Sequence, residues 1–329
     1  MELVHRYETL NGLRSHFVTA GEGPALMFLH GFPDTWKSWE PIMRLCVGSG
    51  FRVIAPDLRG FGDSDGSGTP NQSTAFDVLA DMLALLELEN CAAVGLVGHD
   101  WGAELAWHLA LLRPDRFSAI AALSVPYLPR RVVSLPEALR RSGPEDLYFL
   151  YFLEEGRAER ELDRDHETFL RRIFYANHGS RPGAPPSMRL ADNGKLIDAL
   201  DEPPDNFSYG PFFDLADHMA AFSRTGFGPA LDTYRSLHRT WQLTAGWADK
   251  TVDVPALFIG GEKDIVLDFP GMREGIANMT SVLPRCSPPV MIPDTGHFIQ
   301  IERPVECAHI LIDFFGSTFR NSDCLAHDG

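Results

Sequence analysis

The chain has 329 residues, of which 44% are hydrophobic, enough for two average domains or for one large α/β unit with an insertion. Its 29 Lys and Arg residues against 45 Asp and Glu residues give a formal net charge of -16, and no basic cluster stands out, which argues against nucleic acid and anionic membranes as partners. No stretch is long and apolar enough to span a bilayer, and the first six residues show no apolar signal segment.

Five cysteines are scattered along the chain: Cys46, Cys91, Cys286, Cys307 and Cys324. Their number is odd and none belongs to a C-x-x-C pair, a pattern typical of reduced thiols rather than of a disulfide framework or a zinc site. We therefore expect a soluble, cytoplasmic enzyme with no metal site.

The first part of the chain alternates between predicted strands and helices. Two short β-type runs, His5 to Leu10 and Leu13 to Thr19, flank Asn11-Gly12, a dipeptide favoured in tight hairpins, and predict an antiparallel edge. The continuously apolar run Ala25 to Leu29 predicts a strand buried on both faces. Further runs predict three helices: Trp36 to Cys46, Thr74 to Leu88 and about Ala103 to Leu112. A predicted strand follows each of them in turn: Phe51 to Ala55, Val94 to Gly98 and Ala119 to Val125.

The pattern changes between Pro126 and about Gln242, where prolines separate helical pieces and no convincing buried strand occurs. The predicted helices there are Glu145 to Leu153, Asp165 to Phe174 and Pro229 to Trp241. Alternation then resumes. The predicted strand Val254 to Ile259 is followed by the predicted helix Gly271 to Met279, and the predicted strand Pro289 to Ile292 by the predicted helix Pro304 to Phe319.

This order predicts an α/β protein with a mostly parallel central sheet and a helical cap inserted after the sixth strand. The predicted domains are a core in two parts, residues 1–125 and 243–329, and the cap, residues 126–242.

The fifth predicted strand runs into Gly98-His99-Asp100-Trp101-Gly102, and a helical pattern follows directly. This arrangement resembles the nucleophile elbow of α/β-hydrolases, with aspartate where serine is usual. A serine oxygen attacking a saturated carbon would give an ether, whereas a carboxylate gives an ester that water can open at its carbonyl carbon. Asp100 therefore points to displacement at an alkyl carbon through a covalent ester. The alternative is an ordinary aspartate that caps a helix.

Two later loops offer partners for Asp100. Asp264 follows the strand that ends at Ile259, and His297 follows the last predicted strand, so both lie at the carboxyl ends of parallel strands. The order nucleophile, acid, histidine is the order of this fold. We assign Asp264 as the acid and His297 as the base. Glu262 and Asp268 are weaker candidates for the acid, and each assigned residue alone could be an ordinary loop residue.

The loop His30-Gly31-Phe32-Pro33 follows the third strand. It can turn the backbone N–H of Phe32 toward the elbow, where the N–H of Trp101 would be a second donor of an oxyanion hole. The alternative is a simple turn.

Several segments together resemble the α/β-hydrolase-fold epoxide hydrolases of the soluble or microbial type, over essentially the whole chain. They are His30-Gly31-Phe32-Pro33, Gly98-His99-Asp100-Trp101-Gly102, Tyr148-Phe149-Leu150-Tyr151-Phe152, Gly226-Phe227-Gly228 with Tyr234-Arg235, and Gly296-His297.

The resemblance implies that an apolar epoxide and water are converted to a vicinal diol without a metal or organic cofactor. It implies that two cap tyrosines, Tyr148 and Tyr234, protonate the epoxide oxygen, although either could instead be a packing aromatic. The substrate-binding residues that it implies are Phe32, Trp101, Tyr148, Tyr151, Phe152, Tyr234 and Phe298.

Leu153 departs from the family pattern, which commonly has glutamine there, and this puts the shape of the substrate in doubt. Haloalkane and haloacid dehalogenases are the alternative, because they resemble this chain in fold and use the same aspartate nucleophile. A protein of this fold that only binds a small ligand is a further alternative. The expected partners are small molecules, with no nucleic acid and no membrane span, and a homodimer is left open.

Overall fold

One sheet of eight strands runs through the part of the chain that the computed structural model describes, residues 2–69, 71–183 and 188–326. Its strands are β1 (Val4–Leu10), β2 (Leu13–Ala20), β3 (Ala25–Leu29), β4 (Arg52–Pro56), β5 (Val94–His99), β6 (Phe117–Leu123), β7 (Ala256–Gly261) and β8 (Val290–Ile292). They lie in the order β1-β2-β4-β3-β5-β6-β7-β8. All neighbours from β4 to β8 are parallel, so the predicted mostly parallel sheet is confirmed.

The antiparallel edge is also where the sequence predicted it. Strand β1 pairs antiparallel with β2, and β2 pairs antiparallel with β4. Asn11 and Gly12 both have positive φ, 49° and 85°, which is the conformation that a two-residue hairpin turn requires.

Thirteen α-helices are present in the described residues. They are α1 (Glu40–Gly48), α2 (Ala75–Leu88), α3 (Trp101–Leu112), α4 (Leu135–Ser142), α5 (Tyr148–Leu153), α6 (Arg157–Leu162), α7 (His166–Ala176), α8 (Leu215–Thr225), α9 (Gly228–Arg235), α10 (Leu237–Leu243), α11 (Met272–Val282), α12 (Ile299–Glu302) and α13 (Pro304–Ala326). The helices α4 to α10 fill the stretch between β6 and β7, so the helical insertion after the sixth strand is confirmed.

Several helix predictions differ from the structure: Trp36 to Cys46 is a 3-10 helix, Trp36–Trp39, followed by α1, and α5 begins at Tyr148 rather than at Glu145. The single helix predicted from Pro229 to Trp241 is divided at Ser236 into α9 and α10. The Ser236 hydroxyl accepts a hydrogen bond from the backbone N–H of Ser73, 163 positions away, and the Thr240 hydroxyl accepts one from the N–H of Ala75. The break therefore lets the insertion bind two backbone N–H groups at the start of α2 that have no partner within that helix.

The helix after the elbow begins at Trp101 rather than near Ala103, because the N–H groups of Ala103 and Glu104 both bond to the Asp100 carbonyl oxygen. Asp100 is thus the residue before the first helical turn. None of the helices within residues 2–69, 71–183 and 188–326 has the length and apolar character needed to cross a bilayer.

Buried side chains form a cluster on each face of the sheet. One packs α1 and α13 against the strands and includes Trp39, Leu311 and Phe315. The other runs without interruption from the sheet into the inserted helices, where Phe152 and Phe169 are almost fully buried. Burying such a side chain stabilises the fold by about 1.5–3 kcal/mol, so this cluster holds the insertion on the sheet.

Candidate active site

The turn between β5 and α3 holds Asp100 with φ 52° and ψ -119°, a conformation that aspartate rarely adopts. A Cβ atom on Gly98 would lie 2.3 Å from the Gly102 carbonyl oxygen, and one on Gly102 would lie 2.0 Å from the Leu29 carbonyl oxygen. Only glycine fits at both positions. The tight turn projects the Asp100 side chain above the carboxyl end of the sheet, where the surrounding structure maintains the strain.

Two backbone N–H groups bind the Asp100 carboxylate. The N–H of Phe32 donates to Oδ1 at 2.9 Å, and the N–H of Trp101 donates to the same carboxylate. The loop that carries Phe32 is shaped by His30, whose Nε2 accepts from the N–H of Leu58 and whose Nδ1–H donates to the Gly31 carbonyl oxygen. Both of the expected oxyanion donors therefore lie at Asp100.

His297 lies between two carboxylates. Its Nε2 is 3.7 Å from Asp100 Oδ2, and its Nδ1 is 3.0 Å from Asp264 Oδ1. The weaker candidates for the acid lie elsewhere: Glu262 is exposed, and Asp268 pairs with Arg273.

Ser124 is a partner that the sequence analysis did not identify. It lies just after β6 with φ 71°, and its hydroxyl is 2.8 Å from His297 Nδ1 and also hydrogen bonds the Asp264 carboxylate. A lone serine after a strand has no motif, and only its neighbourhood in space marks it.

The backbone around His297 is fixed on three sides. The His297 N–H donates to the Asn177 carbonyl oxygen of the insertion, and His99 Nε2–H donates to the His297 carbonyl oxygen at 2.8 Å. Glu302 accepts a hydrogen bond from the N–H of Gly296 at 3.1 Å. The imidazole is therefore held in one position relative to Asp100.

The charges of the site shift the pKa of each group. Burial raises the pKa of the Asp100 carboxyl, although His297 and the two N–H donors oppose this. Burial alone would lower the pKa of His297, but the Asp264 and Asp100 carboxylates outweigh it and raise that pKa to about 9. Burial would raise the pKa of Asp264, but His297 and Ser124 outweigh it, so that pKa is lowered. The site therefore favours an imidazolium between two carboxylates.

Tyr148 begins α5 and Tyr234 lies on α9, and both line a cavity with Asp100. Their ring centroids are 6.4 Å apart, and the Tyr234 ring lies edge-on to Trp101 at 4.7 Å. Burial raises the pKa of both phenols, with the Asp100 charge adding to the shift. Both hydroxyls therefore keep their protons at neutral pH.

Three more aromatic residues were expected to bind substrate. Phe152 and Phe298 line the cavity with Asp100. Tyr151 does not line either cavity described here, and its hydroxyl donates instead to Glu161 at 2.5 Å. Tyr151 contacts Phe152 of the cavity wall at 5.7 Å between ring centroids, and its role in substrate binding stays a prediction.

Two cavities meet at Asp100 and Tyr148, one of about 710 Å³ and one of about 50 Å³. Trp101 and Phe149 line the large one, whereas Phe32 and Phe298 line the small one. Among the described side chains, no group of three His, Cys, Asp or Glu residues is placed to hold a metal ion.

The chain matches one family model and is similar to proteins named as epoxide hydrolases. A family model described as the alpha/beta hydrolase fold matches residues 24–304. "Epoxide hydrolase A" of Mycobacterium tuberculosis is 39% identical, covering 92% of this chain and 94% of its own. "Epoxide hydrolase 3" of Siraitia grosvenorii is 36% identical, covering 94% of this chain and 97% of its own.

The chain is also similar to solved structures of epoxide hydrolases. Epoxide hydrolase A of Mycobacterium thermoresistibile superposes with a TM-score of 0.88 at 37% identity, covering 95% of this chain and 98% of that one. Epoxide hydrolase I of potato (Solanum tuberosum) has a TM-score of 0.88 at 34% identity, covering 96% of this chain and 100% of that one.

Proposed function

The chain belongs to the α/β-hydrolase fold family and is an epoxide hydrolase, and we propose that it opens its substrate through an ester on Asp100. In the first step a carboxylate oxygen of Asp100 attacks one epoxide carbon, and the bond from that carbon to the ring oxygen breaks. The leaving oxygen takes a proton from Tyr148 or Tyr234. A phenol suits this role, because the alkoxide is more basic than the tyrosinate that results.

The second step hydrolyses the ester. His297, oriented by Asp264 and Ser124, takes a proton from a water molecule, and the hydroxide attacks the Asp100 carbonyl carbon. The N–H groups of Phe32 and Trp101 stabilise the oxyanion. His297 can act as this base because, once the ester has formed, the proton that the imidazole carried in the free enzyme passes through solvent to the tyrosinate. Collapse of the tetrahedral species then releases the diol and the carboxylate, and His297 keeps the proton taken from water, as in the free enzyme.

The single observation that carries this proposal is the line Asp264, His297, Asp100, with distances of 3.0 Å and 3.7 Å on the two sides of one imidazole. Only the second step needs a base, so the two steps can be separated by removing it.

We expect His297→Gln to form the ester but to hydrolyse it very slowly. Intact-protein mass spectrometry after addition of styrene oxide should show a mass gain equal to one epoxide, and peptide mapping should locate it on Asp100. Asp100→Ala is the matched control and should gain no mass. Loss of turnover in His297→Gln with no trapped adduct would contradict the order of the two steps.

We further propose that residues 1–125 and 243–329 form the catalytic core and that residues 126–242 form the cap. Residues 1, 70, 184–187 and 327–329 lie outside the described residues. The insertion of helices α4 to α10 between β6 and β7 supports this division. Limited proteolysis should cut near residues 126 and 242 before it cuts within the sheet.

A cytoplasmic location and a homodimer are also proposals. Four cysteines with free thiols, Cys46, Cys91, Cys286 and Cys307, support a reducing compartment. Fluorescence of a tagged chain tests the location, and light scattering after gel filtration tests the assembly. A diffuse cytoplasmic signal is the expected outcome of the first measurement, and a mass of two chains in the second would support the homodimer.

A further inference from the structure

The two cavities beside Asp100 differ in volume by more than tenfold, about 710 Å³ against about 50 Å³. The large one extends past Trp101 and Phe149 to Leu139 and Trp241. The small one is closed by Phe169 and Ile173 of α7 and by Phe298. A volume near 700 Å³ is typical of a pocket for a drug-sized ligand, whereas the small one has room for a few water-sized groups.

The chemistry of ring opening fixes how an epoxide must lie between these cavities. The attacked carbon faces Asp100 and the ring oxygen faces the tyrosines, because attack occurs opposite the leaving oxygen. The substituents on the two ring carbons then extend away from the ring, and the two cavities that meet at Asp100 and Tyr148 are the spaces open to them. The small cavity also contains His297, so it must admit the water of the second step.

The walls of the small cavity have little freedom to move. Phe169 is fully buried, and its ring packs edge-on against Phe227 at 5.1 Å. Ile173 is 5% exposed and lies one helical turn further along α7. The carbonyl oxygen of Ile173 accepts hydrogen bonds from both the backbone and the side chain of Asn177, which in turn binds the His297 N–H. The wall is therefore part of the same rigid unit as the base.

We propose that the substrate is a terminal epoxide, with one bulky apolar group in the large cavity and nothing larger than hydrogen or methyl on the other ring carbon. Phe169 and Ile173 set this limit and are specificity-determining residues. This inference rests on the proposed function, since it takes Asp100 as the nucleophile and the two tyrosines as the proton donors.

The test compares 1,2-epoxydodecane with cis-6,7-epoxydodecane, two epoxides of the same formula. The wild type should give a kcat/KM for the terminal epoxide at least about tenfold higher, because a pocket one group too small costs about 10–200-fold. Since the two compounds also differ in intrinsic reactivity, the decisive quantity is the change in this ratio between variants.

Ile173→Ala should raise kcat/KM for the internal epoxide by about tenfold or more and leave the terminal epoxide within about threefold. Ile173→Val should give a smaller change in the same direction. Phe169→Leu enlarges the same cavity at a different residue, so it can replace Ile173→Ala in the test if that variant is unstable. Leu170→Ala is the matched control, because Leu170 is also buried on α7 but lines neither cavity, so its truncation should leave the ratio unchanged.

The outcomes separate this inference from the proposed function. Hydrolysis of neither epoxide by the wild type would overturn the proposed function. Equal kcat/KM for both epoxides in the wild type, or a ratio that neither the Ile173 variants nor Phe169→Leu alters, would overturn the terminal-epoxide inference alone. A ratio that Leu170→Ala shifts as much as Ile173→Ala would assign the selectivity to the packing of α7 rather than to the cavity wall and would also overturn it.

Discussion

The charge of Asp100 acts on His297 across 3.7 Å, and in the proposed mechanism the formation of the ester removes that charge. In the free enzyme the Asp264 and Asp100 carboxylates raise the pKa of His297 to about 9, so the imidazole is protonated at neutral pH. A protonated imidazole cannot take a proton from water. Once Asp100 has become an ester it is neutral, and the pKa of His297 must fall, so the base becomes available in the step that uses it.

Asp100→Ala reproduces this loss of charge. We expect no diol from the variant and a His297 pKa clearly below about 9, because one of the charges that raise it is gone. Titration of the imidazole signals by NMR measures this pKa in both proteins. An unchanged pKa would mean that Asp264 alone sets it, and diol formation at the wild-type rate would rule out the covalent route.

The proposed role of Tyr148 and Tyr234 leads to a prediction about the rate of ester formation. Tyr148→Phe or Tyr234→Phe should each slow ester formation by about 10–100-fold, and the double variant should nearly abolish it, since general acid catalysis is typically worth about 10²–10⁴-fold. Stopped-flow fluorescence with styrene oxide measures this rate. A bromoalkane is the control, because bromide needs no proton to leave. A double variant that reacts with the epoxide as fast as the wild type would show that the proton comes from elsewhere.

Sequence reasoning proposed Asp100, Asp264 and His297 because each follows a strand in the order that this fold uses, and the structure places the three side chains next to one another. Tyr148 and Tyr234 lie on helices and were proposed only from the family resemblance. Sequence reasoning missed Ser124, which has no motif, and it missed Phe169 and Ile173, which have the spacing of an ordinary helix core. A helical period tells which side chains are buried but not which of them face a cavity.

At the scale of elements, the elbow depends on the contact between Gly102 and the end of β3. We expect Gly102→Ala to destabilise the protein by about 1–3 kcal/mol, the usual cost of overpacking, because its Cβ would lie 2.0 Å from the Leu29 carbonyl oxygen. It should also reduce activity by displacing Asp100. Urea unfolding measures the free energy change.

Gly48→Ala is the control for that experiment. It lies at the end of α1, where an added Cβ would meet no atom within 4 Å, so its stability should stay the same or increase by up to about 1 kcal/mol. Equal destabilisation by both changes would contradict the role given to the Gly102 contact.

The strands were easier to predict than the inserted helices. Strand β3 was predicted with its observed bounds, since its five residues are all apolar and all buried. The inserted helices α4, α6 and α8 were not predicted. Two of them are six and eight residues long, and α4 buries only Pro136, so their positions depend on contacts with distant parts of the chain.

At the scale of the whole molecule, a buried pair joins the insertion to the sheet. His218 of α8 lies 2.7 Å from Asp34, which follows β3, and both side chains are fully buried. Burial would raise the pKa of Asp34, but His218, His30 and Ser38 outweigh it and lower that pKa to about 2. The stabilisation from this lowered pKa is present above the unfolded-state pKa of about 3.9 and is lost as the pH falls toward 2.

His218→Ala should therefore destabilise the protein by about 3–5 kcal/mol at pH 7, because it leaves a buried carboxylate without its partner. The loss should shrink as the pH falls toward 4, since Asp34 can then take up a proton. Arg224→Ala is the matched control on the same helix. Arg224 pairs with Asp63, but both side chains are nearly half exposed, so its loss should cost at most about 1 kcal/mol. Urea unfolding at several pH values compares them, and equal losses would contradict the buried pair.

The hydrogen bonds from the start of α2 to two hydroxyls of the insertion can form only late in the synthesis of the chain. Ser236 and Thr240 are translated 163 and 165 residues after the amides that they bind. Until they leave the ribosome, the backbone N–H groups of Ser73 and Ala75 do not have these partners, although Thr74 and Asp77 already cap the helix. By then six of the eight strands and Asp100 have been made, but Asp264 and His297 have not. In the proposed mechanism, the nascent chain thus carries its nucleophile before its base has been made, and turnover can begin only after the last loop is translated.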